Sequence, residues 1–544
     1  MSLLRNFATV GGATMTSRVL GFARDVMIAA FAGAGPVADA FFVAFRLPNL
    51  FRRLFAEGAF NSAFVPLFAR SLEEEGEAGA RRFAGEILAA LFWTLMALTA
   101  IAFVGMTGLV FVLAPGFAED PEKFDLAVLL SRITFPYLLC MSLVAFLSGI
   151  LNTFQRFAAA AFAPVVLNLV MITVLLGIWA VGLETGETLG MVLAAGVTVA
   201  GVAQLALLVV AVRRMGFSVP LRRPRLTQGV RRLWKLGVPG VVAGGITQIN
   251  IAVGTVIASA QAGAVSYLYY ADRIYQLPLG VVGIAIGVVL LPDLSRALRS
   301  GAENAAADAN DRLNRALEFS LALTLPATVA LIVVPGPVVS VLFQRGEFGP
   351  EAAAATTGAL VAFAVGLPAF VLNKVFSPAF FAREDTVTPM WFAGIGMVVN
   401  VAGALVLAPF LAHVGIALAT SLAGWINTGL LVAVLWKRGH FRFDSRSRKR
   451  LPLLALASLL MGAGVHFGAG LLAPWLTAEA VAARFGALAL LVAAGMVLFA
   501  VFVQVTGAVD IRSYIRRGKA SQARRKAARQ SAPTTPPPSG ADEN

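Results

Sequence analysis

The sequence predicts an all-α polytopic membrane protein of about fourteen transmembrane helices, built as two parallel-repeat six-helix lobes plus two C-terminal helices around a central cationic cavity. Three observations carry that expectation. Of the 544 residues, 58% are hydrophobic and 13% charged, against roughly 45–50% and about 25% in a soluble domain. Apolar runs long enough to span a bilayer recur along nearly the whole chain, without the short alternating segments of a membrane β-barrel. Basic residues collect in every second connection.

The spans fall near 8–33, 37–69, 83–113, 125–151, 158–181, 189–212, 235–259, 265–295, 314–335, 351–379, 388–409, 412–436, 452–473 and 482–506. No cleavable signal is expected at the first one, because arginines interrupt the stretch where an apolar core would lie. Odd-to-even connections are short, small or acidic, as in "AGAGPVAD", "APGFAEDPEKFD" and "GLETGETLG". Even-to-odd connections are basic, as in "RRMGFSVPLRRPRLTQGVRRLWK" and "KRGHFRFDSRSRKR". Cytoplasmic loops carry the Lys/Arg excess, so both termini are expected in the cytoplasm. The net charge of +15 is therefore mostly a topology signal and an attraction to anionic headgroups, not a nucleic-acid surface. The tail 507–544 is basic and then rich in Pro, Ser and Thr, a composition that favours disorder.

An internal repeat organises the spans. "AGAGPVADAFFVAFRLPNL" parallels "AQAGAVSYLYYADRIYQLPL", pairing Gly35 with Gly263, Arg46 with Arg273, Pro66 with Pro292 and Arg70 with Arg296. Arg156 pairs with Arg383 further on, all at an offset of about 227 residues. An even number of spans separates the copies, so the lobes lie parallel, with a site expected at their interface. The divisions implied are an N-lobe over 1–215, a basic linker over 216–234, a C-lobe over 235–440, two extra helices over 441–506, and the tail.

Catalytic chemistry finds no support. The single cysteine, Cys140, excludes an intrachain disulfide and a cysteine metal cluster, and His413, His440 and His466 have no ligand spacing. No Walker A lysine motif or GxSxG elbow occurs. No catalytic residue, metal or cofactor is expected, and the chain does not read as an enzyme.

The charges inside the first two spans carry the functional reading. A charge at mid-bilayer costs about 2.5–3.5 kcal/mol on insertion scales, so arginines there face water rather than lipid. Gly11, Gly12, Thr14, Thr16, Ser17 and Gly21 leave the first span barely apolar around Arg18, Arg24 and Asp25. In the second span Asp39, Arg46 and Arg53 are seven residues apart and share a helix face, while Arg53 and Glu57 can pair. Pro48 is expected to bend that helix, leaving open which of Arg52 and Arg53 points inward. Asp272 and Arg273 occupy the repeat-related position in the second lobe. Arg18, Arg24, Asp39, Arg52 and Arg273 are the expected cavity residues, supported by Ser17, Asp25, Arg46, Arg53, Glu57 and Asp272. Guanidinium groups match phosphate oxygens and stay charged at any working pH, so the cavity suits an anionic, phosphorylated substrate.

At these residues the chain resembles a known family. "RVLGFARD", "ADAFFVAFRLPNLFRRLFAEGAFNSAFVPLF", "YYADRIYQLPLGVVGIAIGVVLLPDLS" and "LNTFQRFAAAAFAP" are similar to the MurJ (MviN) lipid II flippases of the multidrug/oligosaccharidyl-lipid/polysaccharide exporter superfamily. The resemblance covers about residues 1–506. It implies alternating-access transfer of lipid II, an undecaprenyl-diphosphate-linked peptidoglycan precursor, from the cytoplasmic to the periplasmic leaflet of the bacterial inner membrane. It implies that Arg18, Arg24, Arg52 and Arg273 are essential cavity arginines, that Asp39 is a cavity acid, and that the last two helices form a groove for the polyprenyl tail. Membrane lipids are the other expected partners, with room for contacts to the cell-wall synthesis machinery. Some family members carry a sodium site in the second lobe. The seventh, eleventh and twelfth spans here contain no Asp or Glu, offering only Asn250, Asn400 and Asn427, so drive by membrane potential or a proton gradient is the expectation. Alternatives are an O-antigen-type lipid-linked oligosaccharide flippase, which only substrate separates, and a multidrug/cation antiporter, which would want acids to outnumber bases. A non-transporting scaffold would tolerate cavity substitutions.

Overall fold

The computed structural model describes residues 3–53, 60–221, 224–299 and 304–508. Its first half consists of α1 (Leu3–Ala32), α2 (Pro36–Arg52), α3 (Asn61–Val104), α4 (Met106–Leu113), a 3-10 turn (Pro115–Glu119), α5 (Pro121–Thr134), α6 (Tyr137–Thr153), α7 (Phe157–Val181) and α8 (Glu187–Arg214). The second half holds α9 (Gln228–Ser259), α10 (Ala264–Arg299), α11 (Ala305–Val333), α12 (Pro335–Phe343), α13 (Pro350–Phe381) and α14 (Val387–Lys437). α15 (Ser445–Leu471), α16 (Ala473–Leu476) and α17 (Val481–Val505) complete it. Among the described residues, nine helices are long and apolar enough to cross a membrane. α1 is not one of them, since Arg18, Arg24 and Asp25 interrupt its apolar run.

Helix breaks follow local chemistry. α3 turns at Gly76, whose φ of 67° a residue without Cβ adopts without strain. α14 reverses at Ala412, and a Cβ on Gly415 would stand 2.6 Å from the Leu407 carbonyl, so the reversal requires glycine there. The span expected over 125–151 is one crossing, Pro121–Thr153, whose hydrogen-bond ladder Pro136 interrupts between α5 and α6. Of the span expected over 37–69, α2 covers the part up to Arg52 and α3 the part from Asn61, and residues 54–59 lie outside the described residues. α2 stays helical through Pro48. Proline leaves the carbonyl one turn back, on Ala44, without its ladder donor, and Thr134 Oγ1 of α5 supplies one at 2.9 Å.

The repeat reappears in backbone detail. α2 begins just after Gly35 and α10 just after Gly263. The helix breaks at Gly105 and Val334 correspond, as do the left-handed residues Gln155 and Glu384 beside the paired Arg156 and Arg383. Helices α1–α8 pack mainly on one another, through α1 on α7, α2 on α5 and α8, and α3 on α6. In the second half α13 packs on α10, α11 and α14, while α15 and α17 lean on α11 and α12. The halves meet where α2 touches α10 and where α3, α4 and the 3-10 turn touch α9.

Candidate functional site

Between the halves lies a cavity of about 620 Å³, walled by α1, α2 and α7 on one side and by α9, α10, α13 and α14 on the other. Six arginines line it: Arg18, Arg24, Arg46, Arg52, Arg53 and Arg273. Among the described residues, two carboxylates stand against them, Asp25 and Asp272. Ser17 lies on the same wall. The choice between Arg52 and Arg53 dissolves, since both border the space, Arg52 donating through Nε to Asn49 Oδ1 at 3.2 Å.

Asp25 is the hub. Its Oδ1 accepts from Arg24 Nε at 3.0 Å and Nη2 at 2.7 Å, and from the Tyr269 hydroxyl at 3.3 Å. Its Oδ2 lies 3.1 Å from Arg273 Nε. One carboxylate thus joins guanidinium groups from both halves of the chain. Around this hub, Arg24 Nη1 donates to Asn168 Oδ1 at 3.0 Å, and Asn168 holds the Ser17 carbonyl at 2.8 Å. Arg273 Nη2 donates to the Tyr269 hydroxyl at 3.0 Å, and the Tyr269 ring stacks on Phe42 at 3.8 Å. Arg46 reaches across to Thr255 of α9, and Gln276 donates to Asp272. Arg18 lies flat against α10: a Cβ on Gly280 would stand 1.8 Å from its Nη1. Lys374 of α13 faces Arg18 closely enough to repel it.

The electrostatic consequence is direct. Arginine is not deprotonated at working pH, so the lining carries a surplus of cations over carboxylates. At an effective dielectric of about 20, an anion about 4 Å from one uncompensated charge gains about 4 kcal/mol. Arginines from both halves converge here, so the potential in the cavity favours an anion.

Asp39 departs from the expectation. It does not line the cavity; it is fully buried at the end of the bundle where the halves touch. Oδ2 accepts from Lys123 Nζ at 2.7 Å and from the Gly263 amide at 3.0 Å, while Oδ1 accepts from the Ser266 amide at 3.0 Å and hydroxyl at 2.6 Å. A carboxylate on α2 therefore caps the N-terminus of α10, where exposed amides and the helix dipole favour negative charge. The heptad spacing from Arg46 shows only that the two share a face of α2; one end of that face meets α10 and the other meets the cavity. Nearby, Tyr270 donates to the Gly33 carbonyl at 2.9 Å, Glu347 N to the Ala30 carbonyl at 3.0 Å, and Gly116 N to Ser259 Oγ at 3.0 Å. Together these contacts seal one end of the bundle. Glu57 lies outside the described residues.

Lys123, Asn168, Tyr269, Ser266 and Gly280 went unnoticed in the sequence. Lys123 hid in a loop legible only as acidic. Asn168 lies in an apolar run, and Tyr269 in the quoted "YYADRIYQLP", where its neighbours Asp272 and Arg273 drew notice instead.

A bundle of membrane-spanning helices, with a charged central cavity sealed at one end by contacts between its halves, is the architecture of an alternating-access transporter. Comparison with known proteins agrees. The profile of the family described as "Lipid II flippase MurJ" matches residues 28–486, and the chain belongs to that family. A probable lipid II flippase MurJ of Rhizobium meliloti (strain 1021) is 52% identical, covering 95% of this chain and 97% of its own. The solved structure of "Lipid II flippase MurJ, inward closed conformation" superposes with a TM-score of 0.75 at 25% identity, covering 91% of this chain and 98% of that one. An inward-facing multidrug resistance MATE transporter of the MOP superfamily shares the fold, with a TM-score of 0.64 at 16% identity over 80% and 95%.

Proposed function

We propose that this protein is a lipid II flippase that carries the undecaprenyl-diphosphate-linked peptidoglycan precursor from the cytoplasmic to the periplasmic leaflet of the bacterial inner membrane. Family membership supports the substrate, and one observation carries the reading: Arg24 and Arg273, from opposite halves, share Asp25 at the wall of an arginine-rich cavity. A diphosphate entering that space accepts hydrogen bonds from guanidinium forks that a single carboxylate cannot satisfy. It thereby competes for the group that ties the halves together. Arg18, Arg24, Arg52 and Arg273 bind the head in this scheme, with Arg46 and Arg53 beside them and Asp25 and Asp272 orienting the forks.

The chain crosses the membrane fourteen times in this reading, with α14 and α3 each contributing to two crossings, and both termini in the cytoplasm. The basic connections favour that orientation, which makes the sealed end periplasmic and the conformation inward-facing. Asp39 then acts as the periplasmic latch, and the lobes over 1–215 and 235–440 rock about the cavity. The helices over 441–506 carry the polyprenyl tail, and the basic cytoplasmic surface is available to the cell-wall synthesis machinery. Asn400 Nδ2 donates to Asn250 Oδ1 at 2.9 Å, a neutral pairing where a sodium site would want carboxylates, so the membrane potential or a proton gradient drives the cycle.

The test is transfer of labelled lipid II in proteoliposomes, with an O-antigen carrier lipid in a parallel arm. The wild-type protein moves lipid II, and Arg273→Glu abolishes transfer while the protein is still expressed and folded. Unimpaired transfer by Arg273→Glu overturns the assignment, and transfer of the O-antigen carrier alone overturns the substrate.

A further inference from the structure

The sealed end carries a second cationic feature that the cavity does not use. Arg345 follows the last turn of α12, and Arg484 lies in the first turn of α17. Both turn toward the C-terminal carbonyls of α12: Arg345 Nη2 donates to Leu342 O at 2.8 Å, and Arg484 Nη1 to Gln344 O at 3.2 Å. The two guanidinium groups lie close enough to repel, and burial together with Arg484 pulls the Arg345 pKa down. Among the described residues, neither has a carboxylate within ion-pair distance, and the Nε of each is buried without an acceptor.

Capping α12 explains one arginine. It does not explain two, and it explains Arg484 least, because a cation in the first turn of α17 opposes that helix's dipole. The α17 N-terminus has no side-chain cap at Ala480, so uncapped amides and two guanidinium groups converge. The Phe485 ring lies under Arg345 at 5.1 Å. Trp475 of α16 is 55% exposed, and tryptophan is enriched where protein meets the membrane–water boundary.

We propose that Arg345 and Arg484 form a binding site for the phosphate of an anionic phospholipid, its acyl chains lying along the exposed apolar side chains of α16 and α17. The occupant is a lipid because the cationic pair adjoins apolar side chains that the fold leaves exposed, Trp475, Val481 and Phe485. It is anionic because the phosphate supplies the negative charge that no side chain does. Lipid held here braces α17 against α12 on the outer leaflet. Only the name of that leaflet rests on the proposed topology; binding itself needs no flipping.

The experiment uses the full chain in nanodiscs of mixed phosphatidylglycerol and phosphatidylcholine, with retained lipid counted by native mass spectrometry. The double variant Arg345→Gln/Arg484→Gln is expected to retain phosphatidylglycerol about thirtyfold less tightly, on the order of fivefold per arginine, with phosphatidylcholine unchanged. Arg345→Lys/Arg484→Lys keeps the charge and recovers part of the affinity, which guards against a fold defect in the first variant. Equal retention by wild-type and glutamine variants overturns the proposal. So does selective retention of undecaprenyl diphosphate over phosphatidylglycerol, or displacement of the lipid by millimolar inorganic phosphate. Lipid II transfer in the same preparations is scored separately, so loss of this site and failure of the flippase reading give different results.

Discussion

Replacing Asp39 by Asn probes whether the sealed end is held by electrostatics. Asn keeps the shape but exchanges one acceptor oxygen for a donor. Whichever way the amide turns, its NH₂ faces donors: Lys123 Nζ and the Gly263 amide on one side, the Ser266 amide and hydroxyl on the other. Lys123, only 7% exposed, loses its carboxylate. Breaking one side of a buried ion pair costs about 3–5 kcal/mol. At about 1.4 kcal/mol per tenfold, the ratio of sealed to open molecules falls between about a hundredfold and a few thousandfold. The assay is outside labelling of Leu268→Cys, a cavity position, by an impermeant thiol reagent in a Cys140→Ser background that removes the single native cysteine. Asp39→Asn should label much faster than its parent. Asp39→Asn/Lys123→Met removes both charges and should recover part of the seal, because an apolar pair costs less than an orphaned cation. Gly116→Val should open the same end by sterics alone, since a Cβ there stands 2.4 Å from the Ala260 backbone. Unchanged labelling of Asp39→Asn, with thermal stability intact, refutes the latch.

Other expectations concern positioning and stability. Gly280→Ala should displace Arg18 from the face of α10, weakening binding of a diphosphate lipid by a few-fold to tenfold without lowering Tm; tryptophan-fluorescence titration measures the first and thermal melting the second. Thr134→Val leaves the Ala44 carbonyl without its donor and should cost about 1–3 kcal/mol in thermal unfolding, whereas Thr134→Ser should cost less. In the loop joining α13 to α14, Arg438 and Thr388 hold Asp385 at a pKa of about 2, with the Arg438 hydrogen bond the largest cause. A lowered folded pKa means that this stabilisation is complete above the unfolded value near 3.8 and is lost as pH falls through about 2. The Tm difference between wild type and Asp385→Asn should therefore be constant from neutral pH to about pH 5 and shrink below about pH 4.

Much of this architecture was open to a one-dimensional reading because the bilayer is a demanding solvent. Apolar length and loop charge follow from the cost of exposed polar groups in hydrocarbon, so the helical membrane class and the repeat were available before any coordinates. The cavity arginines were available for the same reason: Arg18 and Arg24 in a glycine- and threonine-rich helix have no inexpensive place except water. Asp39 shows where that logic stops. Cost of burial says a carboxylate needs partners, but not whether they are a ligand or Lys123 and the N-terminus of α10, which lie 84 and more than 220 residues away in sequence. The vacancy that Pro48 leaves at the carbonyl one turn back was equally visible, and its remedy in Thr134 was not.

Composition and periodicity by themselves determined a helical membrane protein with an internal repeat and guanidinium groups kept from lipid, because each of those properties is a local cost that a residue carries wherever the chain folds. Tertiary structure alone decided that Asp25 would bridge the halves, that Asp39 would close one end, and that Arg345 would meet Arg484. Those are pairings between distant segments, and their energies depend on distances of a few ångströms that only packing of the helices establishes.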